Sequence, residues 1–220
     1  MPDYLLHIFL VLLCIHIACG FISLVCSLGA MISPKGYYRH RRFGTYFFYG
    51  MTGVFITAIP MAIMKHLLFL FLIAIFSYYL AFSGRRYARN RLGWPAKIDW
   101  VVSCAMLFVS AIMILLGIYH FNLDNYQCIV LIVFGVIGGI ISTSDLKTYR
   151  MQSAVGRLRI AKHLSAMLGA TIAAITAFSV TNLSFKPEIV IWLGPTVLLV
   201  PVIIWWKSKV LNPKSNFDIR

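Results

Sequence analysis

The chain has 220 residues, 60% of them apolar and only 12% charged, with a formal net charge of +14 at pH 7. Soluble domains are nearer half apolar and a quarter charged, so lipid rather than water must solvate most of this chain. Such a basic balance would suggest nucleic acid in a soluble protein, but no basic amphipathic domain lies outside the apolar runs, and a nucleic-acid partner is excluded.

A bilayer core needs about 20 apolar residues in helical form, and seven such segments follow one another. The first, 4–33, is too long for a signal peptide and is expected to stay as a transmembrane helix. Its small and polar residues, His16, Gly20, Ser23, Ser27 and Ala30, recur at helical spacing. The loop SPKGYYRHRRFG (33–44) carries Lys35, Arg39, Arg41 and Arg42, with His40 among them. The second and third segments, 45–64 and 66–84, are almost continuous, with Pro60 and the Lys65-His66 pair making the break.

A second basic loop, with Arg85, Arg86, Arg89, Arg91 and Lys97, leads to the fourth segment, 99–120. There the stripe is Ser103, Met106, Ser110, Met113, Gly117 and His120. The fifth, 127–144, has Gly135, Gly138 and Ser142 in line with Asp145 and Tyr149, and Gly135-x-x-x-Gly139 would allow close helix approach. Lys147, Arg150, Arg157, Arg159 and Lys162 precede or open the sixth, 160–182, whose stripe is His163, Met167, Ala170, Ala174, Ala177 and Thr181. The seventh, 188–206, contains Pro195 and Pro201, which predict a kink.

Of the 20 Lys and Arg residues, 18 fall on one side of this alternation, and only Lys65 and Lys186 on the other. By the positive-inside rule that side is cytoplasmic. The expected fold class is therefore all-α: an integral membrane bundle of seven transmembrane helices, N-terminus outside and C-terminus cytoplasmic, in the bacterial inner membrane. Tyr37, Tyr38, Trp94, Trp100, Trp205 and Trp206 suit anchors at the inner interface. No loop is long enough to fold alone, so 1–220 reads as one transmembrane domain, and the absence of an internal repeat argues against a transporter built from inverted halves. The five cysteines form no C-x-x-C pair and read as small packed hydrophobes.

Ionisable groups inside a bilayer are costly and therefore candidates for function. His7, His66, His120, Asp3, Asp124 and Glu188 lie near the outer ends of spans and read as interface groups. His16 lies about 18 Å along the first helix from residue 4. Its imidazole needs a cross-helix hydrogen bond, a metal or haem to ligate, or a polar substrate to contact. His163 opens the sixth span with Met167 one turn on, Asp145 closes the fifth at the same level, and His40 lies one turn before Gly44 at the foot of the second. If that helix begins early, His40, Gly44, Phe47 and Met51 share a face. His40, His163 and Asp145 make a donor set suited to a divalent metal, and two imidazoles from different helices suit the axial positions of haem b. The competing expectation is that Asp145 pairs with a neighbouring Arg or Lys and that the histidines sit among headgroups. No H-E-x-x-H, P-loop or nucleophile elbow is present, and no lysine lies within the seventh span to form a retinal Schiff base.

These residues resemble a family of bacterial multipass proteins, the domain of unknown function 2306. The resemblance runs through His16-Ile17-x-x-Gly20, Lys35-Gly36-x-x-x-His40-Arg41-x-x-Gly44 and Asp145-Leu146. Its most specific part is His163-x-x-x-Met167-x-Gly169-Ala170-x-Ile172-Ala173-Ala174-x-Thr176-Ala177-Phe178-x-Val180-x-Asn182. It implies that His16, His40, Asp145, His163 and Asn182 belong to a family pattern, and it supplies no activity. Three classes of function stay open. One is a haem- or metal-binding oxidoreductase acting on a lipid-soluble substrate, with His40, His163 and His16 holding the cofactor. Another is a metal-dependent hydrolase or transferase acting on lipid. The third is a non-enzymatic carrier, sensor or partner subunit.

Overall fold

A computed structural model describes residues 3–122 and 125–212. It is all-helical, with α1 (Asp3–Ile32), α2 (Tyr38–Met64), α3 (Leu68–Arg89), α4 (Lys97–Tyr119), α5 (Tyr126–Arg150), α6 (Gly156–Asn182) and α7 (Ile189–Leu211). All seven are long and apolar enough to cross a membrane, which makes this a multipass membrane protein.

Each apolar segment corresponds to one helix, with 4–33, 66–84, 99–120 and 188–206 overrunning it by one or two residues at one end, and several helices run further than their apolar stretch. α2 starts at Tyr38 and takes in the basic residues Arg39, Arg41 and Arg42, and α5 continues past its apolar end to Arg150. Hydropathy marks where lipid ends, whereas a helix continues through Lys and Arg, which are good helix formers with stems long enough to reach water. The α2–α3 break falls at Lys65–Leu67, where the Lys65-His66 pair was expected to make it, whereas Pro60 lies inside α2 and does not end the helix. His66 takes a left-handed φ of 55°, its N–H donates to Ile63 O, and Leu67 N–H donates to Ala62 O. This paired pattern is a Schellman cap, with histidine where glycine is usual. Gln152 closes α5 in the same way, at φ 49°. Pro195 and Pro201 likewise lie inside α7, which continues through both.

The described residues fall into two compact units that divide between Tyr78 and Tyr79, inside α3. In the first unit α1 packs along α2. The contact depends on Gly50, where a Cβ would stand 3.0 Å from the Cys19 carbonyl oxygen and would strike Ser23 Oγ. Ser23 and Ser27 of the small-residue stripe are buried there. In the second unit α4 packs along α5, and α6 and α5 both meet α7. Ser103, Met106, Ser110, Met113 and Gly117 all face inward on α4, and a Cβ on Gly135 would stand 3.0 Å from the Ser110 carbonyl. Gly139, the other half of the GxxxG pair, sits less tightly, with 3.7 Å to Ser110 Cβ.

Candidate functional site

The most heavily built polar site lies in the second unit, where α3 and α5 end and α6 begins. Tyr79, Ser83 and Tyr87 are spaced four residues apart and so share one face of α3. All three point at Asp145 of α5. Tyr79 Oη and Ser83 Oγ donate to Asp145 Oδ2 at 2.7 and 2.8 Å, and Tyr87 Oη donates to Oδ1 at 2.9 Å. Lys162 of α6 completes the set, donating to Oδ1 at 2.9 Å and to Ser144 Oγ at 2.7 Å. Asp145 is 1% exposed, and its four accepted bonds match the acceptor capacity of a carboxylate. The Lys162 ammonium also stands 5.9 Å from the centre of the Tyr87 ring, which stacks on Tyr149.

The same end of α3 is closed by α6. A helix leaves its last four carbonyls without intrahelical partners. Arg159 Nη1 donates to two of them, Tyr87 O and Ala88 O, both at 3.0 Å. His163 Nδ1 donates to Gly84 O at 2.8 Å, and Met167, one turn further along α6, packs where a Gly84 side chain would be. Arg86 pairs bidentately with the buried Asp99 at 2.5 and 2.8 Å, and Asp99 Oδ2 also accepts the Ala96 N–H. Cationic side chains thus meet both the negative end of the α3 dipole and the two buried carboxylates.

In the first unit, His40 Nδ1 donates across to Ala30 O of α1 at 3.0 Å. The early start of α2 puts His40, Gly44 and the buried Phe47 and Met51 on one face. Lys35 Nζ caps the same end of α1, donating to Ala30 O and Met31 O. Deep in α1, His16 Nδ1 meets Thr57 Oγ1 of α2 at 2.9 Å. Thr57 has one hydroxyl hydrogen, and its oxygen stands 2.8 Å from Gly53 O and 3.0 Å from Val54 O, both of which can only accept. The hydroxyl hydrogen therefore goes to the backbone, and His16 Nδ1 is the donor to Thr57.

His40 thus belongs to the first unit, and Asp145 and His163 to the second. Among the described residues no group of three or more His, Cys, Asp or Glu side chains is placed to hold a metal ion. Asp145 instead takes the ion-pair role, with Lys162 as its cation. Asn182 closes the far end of α6, 19 residues or about 28 Å from His163, and bonds to Phe178 O and Thr181 Oγ1 of its own last turn. Sequence reasoning missed Tyr79, Ser83, Tyr87 and the Arg86–Asp99 pair. The spacing of 79, 83 and 87 was the available signal for the first three. The chain matches no family model, no curated protein and no solved structure.

Proposed function

We propose that this chain is a multipass protein of the bacterial inner membrane, related to the domain of unknown function 2306 proteins it resembles, with its C-terminus in the cytoplasm. In this reading it presents histidine imidazoles to a haem or metal ion for redox chemistry on a lipid-soluble substrate. The observation that carries the reading is common to His16, His40 and His163: each donates from Nδ1 to an oxygen on a neighbouring helix. A neutral imidazole held in this way has its lone pair on Nε2. Histidines that ligate iron or zinc are held similarly, with the other ring N–H donated to a carbonyl or carboxylate. The orientation is supported by the placement of 18 of 20 basic residues on one side.

The geometry limits the form such a site can take. His40 is tied to Ala30, 14 residues or about 21 Å along α1 from His16. These two imidazoles cannot face the same iron. When bound, a haem would supply one-electron chemistry, while Thr57, Ala30 O and Gly84 O orient the rings. A zinc-type hydrolase or transferase needs three protein ligands, and the described residues offer no such group. A non-enzymatic role is favoured by one specific feature. All three Nδ1 bonds join two helices, so the same bonds serve as staples in a carrier, sensor or partner subunit.

Absorbance spectra and metal analysis of detergent-purified protein test the reading. The expected result is a Soret band or stoichiometric metal in the wild type. It should be lost in His16→Ala, His40→Ala or His163→Ala while the thermal transition is kept. A folded wild type that is colourless and metal-free refutes the cofactor and leaves the staples.

A further inference from the structure

A shallow, widely open groove lies along one face of α5, lined by Gly139, Ile140, Thr143, Ser144 and Lys147. Its floor at Gly139 and Ile140 is apolar. Its rim, toward the end of α5, is a row of hydrogen-bond donors. Lys147 is exposed and makes no ion pair among the described residues. Thr143 is exposed with a hydroxyl, and the Ser144 hydroxyl accepts from Lys162, which leaves its own hydrogen to donate. Lys162 has three N–H groups, of which Ser144 and Asp145 take two. Among the described residues the carboxylate close by is Asp145, which is neutralised by Lys162 and already accepts four bonds. The rim therefore offers positive charge and donors, without a competing anion among the described residues, directly beside an apolar strip of α5. Arg150, Arg157 and Arg159 add to the positive field at this end.

We infer that this groove is a binding site for one anionic phospholipid, its phosphate on Lys147, Ser144 and Thr143 and an acyl chain along Gly139 and Ile140. Three features match such a lipid: the donor-only rim, the apolar floor, and a position at the end of a membrane-spanning helix. The inference uses the membrane reading but none of the histidine chemistry, so the two stand or fall separately.

The test is lipid retention on the full chain in nanodiscs of phosphatidylcholine doped with phosphatidylglycerol, read by native mass spectrometry. Both leaflets have the same composition, so the result does not depend on orientation. The wild type should retain phosphatidylglycerol in preference to phosphatidylcholine. Lys147→Ala should weaken that retention about fivefold, since a basic residue near an anionic surface contributes about 1 kcal/mol. Lys147→Arg should restore it, and Thr143→Val should weaken it further in the Lys147→Ala background. Lys207→Ala, at an exposed lysine on α7, should leave it unchanged. No preference for the anionic lipid overturns the site, and so does an equal loss in Lys207→Ala. Displacement of the lipid by inorganic phosphate alone would assign the rim to a free anion and also overturns it.

Discussion

Replacing Lys162 with methionine removes one of four hydrogen bonds to Asp145 and, among the described residues, its only cation, while keeping most of the side chain's volume. Asp145 is 1% exposed and the Lys162 side chain 13%, so loss of the ammonium leaves a carboxylate charge in a largely buried setting. Breaking a buried ion pair from one side leaves an uncompensated charge and costs about 3–5 kcal/mol. A chain of this size loses about 2–4 °C in Tm per kcal/mol, so the transition should fall by roughly 10 °C. Asp145→Asn on its own strands the Lys162 ammonium and mispairs at least one hydroxyl. The double variant Lys162→Met/Asp145→Asn removes both charges together, and the three hydroxyls then face a neutral amide. Its loss should be smaller than the sum of the two single losses by at least about 1.5 kcal/mol, within the range of coupling energies for residues in contact. The assay is thermal unfolding of the four proteins in one detergent, followed by tryptophan fluorescence. Strictly additive losses would show that Asp145 and Lys162 do not act as a pair, and would refute the argument from geometry.

Two glycines should respond in opposite directions. Gly50→Ala drives a methyl group into Ser23 and the Cys19 carbonyl and should cost about 1–3 kcal/mol, whereas Gly44→Ala meets nothing within 4 Å and should gain up to about 1 kcal/mol from helix propensity. Thermal unfolding reads both, and a destabilised Gly44→Ala would place an unseen neighbour against that helix face. Orientation is checked with single cysteines in a cysteine-free background: Lys65→Cys should react with a membrane-impermeant maleimide in intact cells, and Arg91→Cys only after permeabilisation. The reverse pattern would invert the assigned sidedness.

The seven helices were legible in the sequence because a bilayer imposes a constraint that acts along the chain. Each crossing must bury about 20 residues of backbone with few charges, and this constraint survives without knowledge of any neighbour. The inward face of α4 was legible for a related reason, whereas Ala177 and Thr181 of the α6 stripe are exposed. Small residues at helical spacing mark where another helix can approach, and Ser103, Met106, Ser110, Met113 and Gly117 are inward-facing as that rule requires. Helix ends were less legible, since Arg39 to Arg42 look like loop by charge yet lie within α2.

Which polar groups meet was decided only by tertiary structure. Asp145 could be singled out as an acid at the foot of a span, but its partners come from 58 to 66 residues upstream on α3 and 17 downstream on α6. The rotation of α3 about its axis selects Tyr79, Ser83 and Tyr87, and no local pattern reveals that rotation's acceptor. His163 illustrates the same division. Its position at the start of a span is a local fact, but the oxygen that holds Nδ1 belongs to Gly84, 79 residues earlier. Solvation by lipid is a property of each segment, whereas hydrogen bonds and ion pairs are properties of two segments brought together by packing.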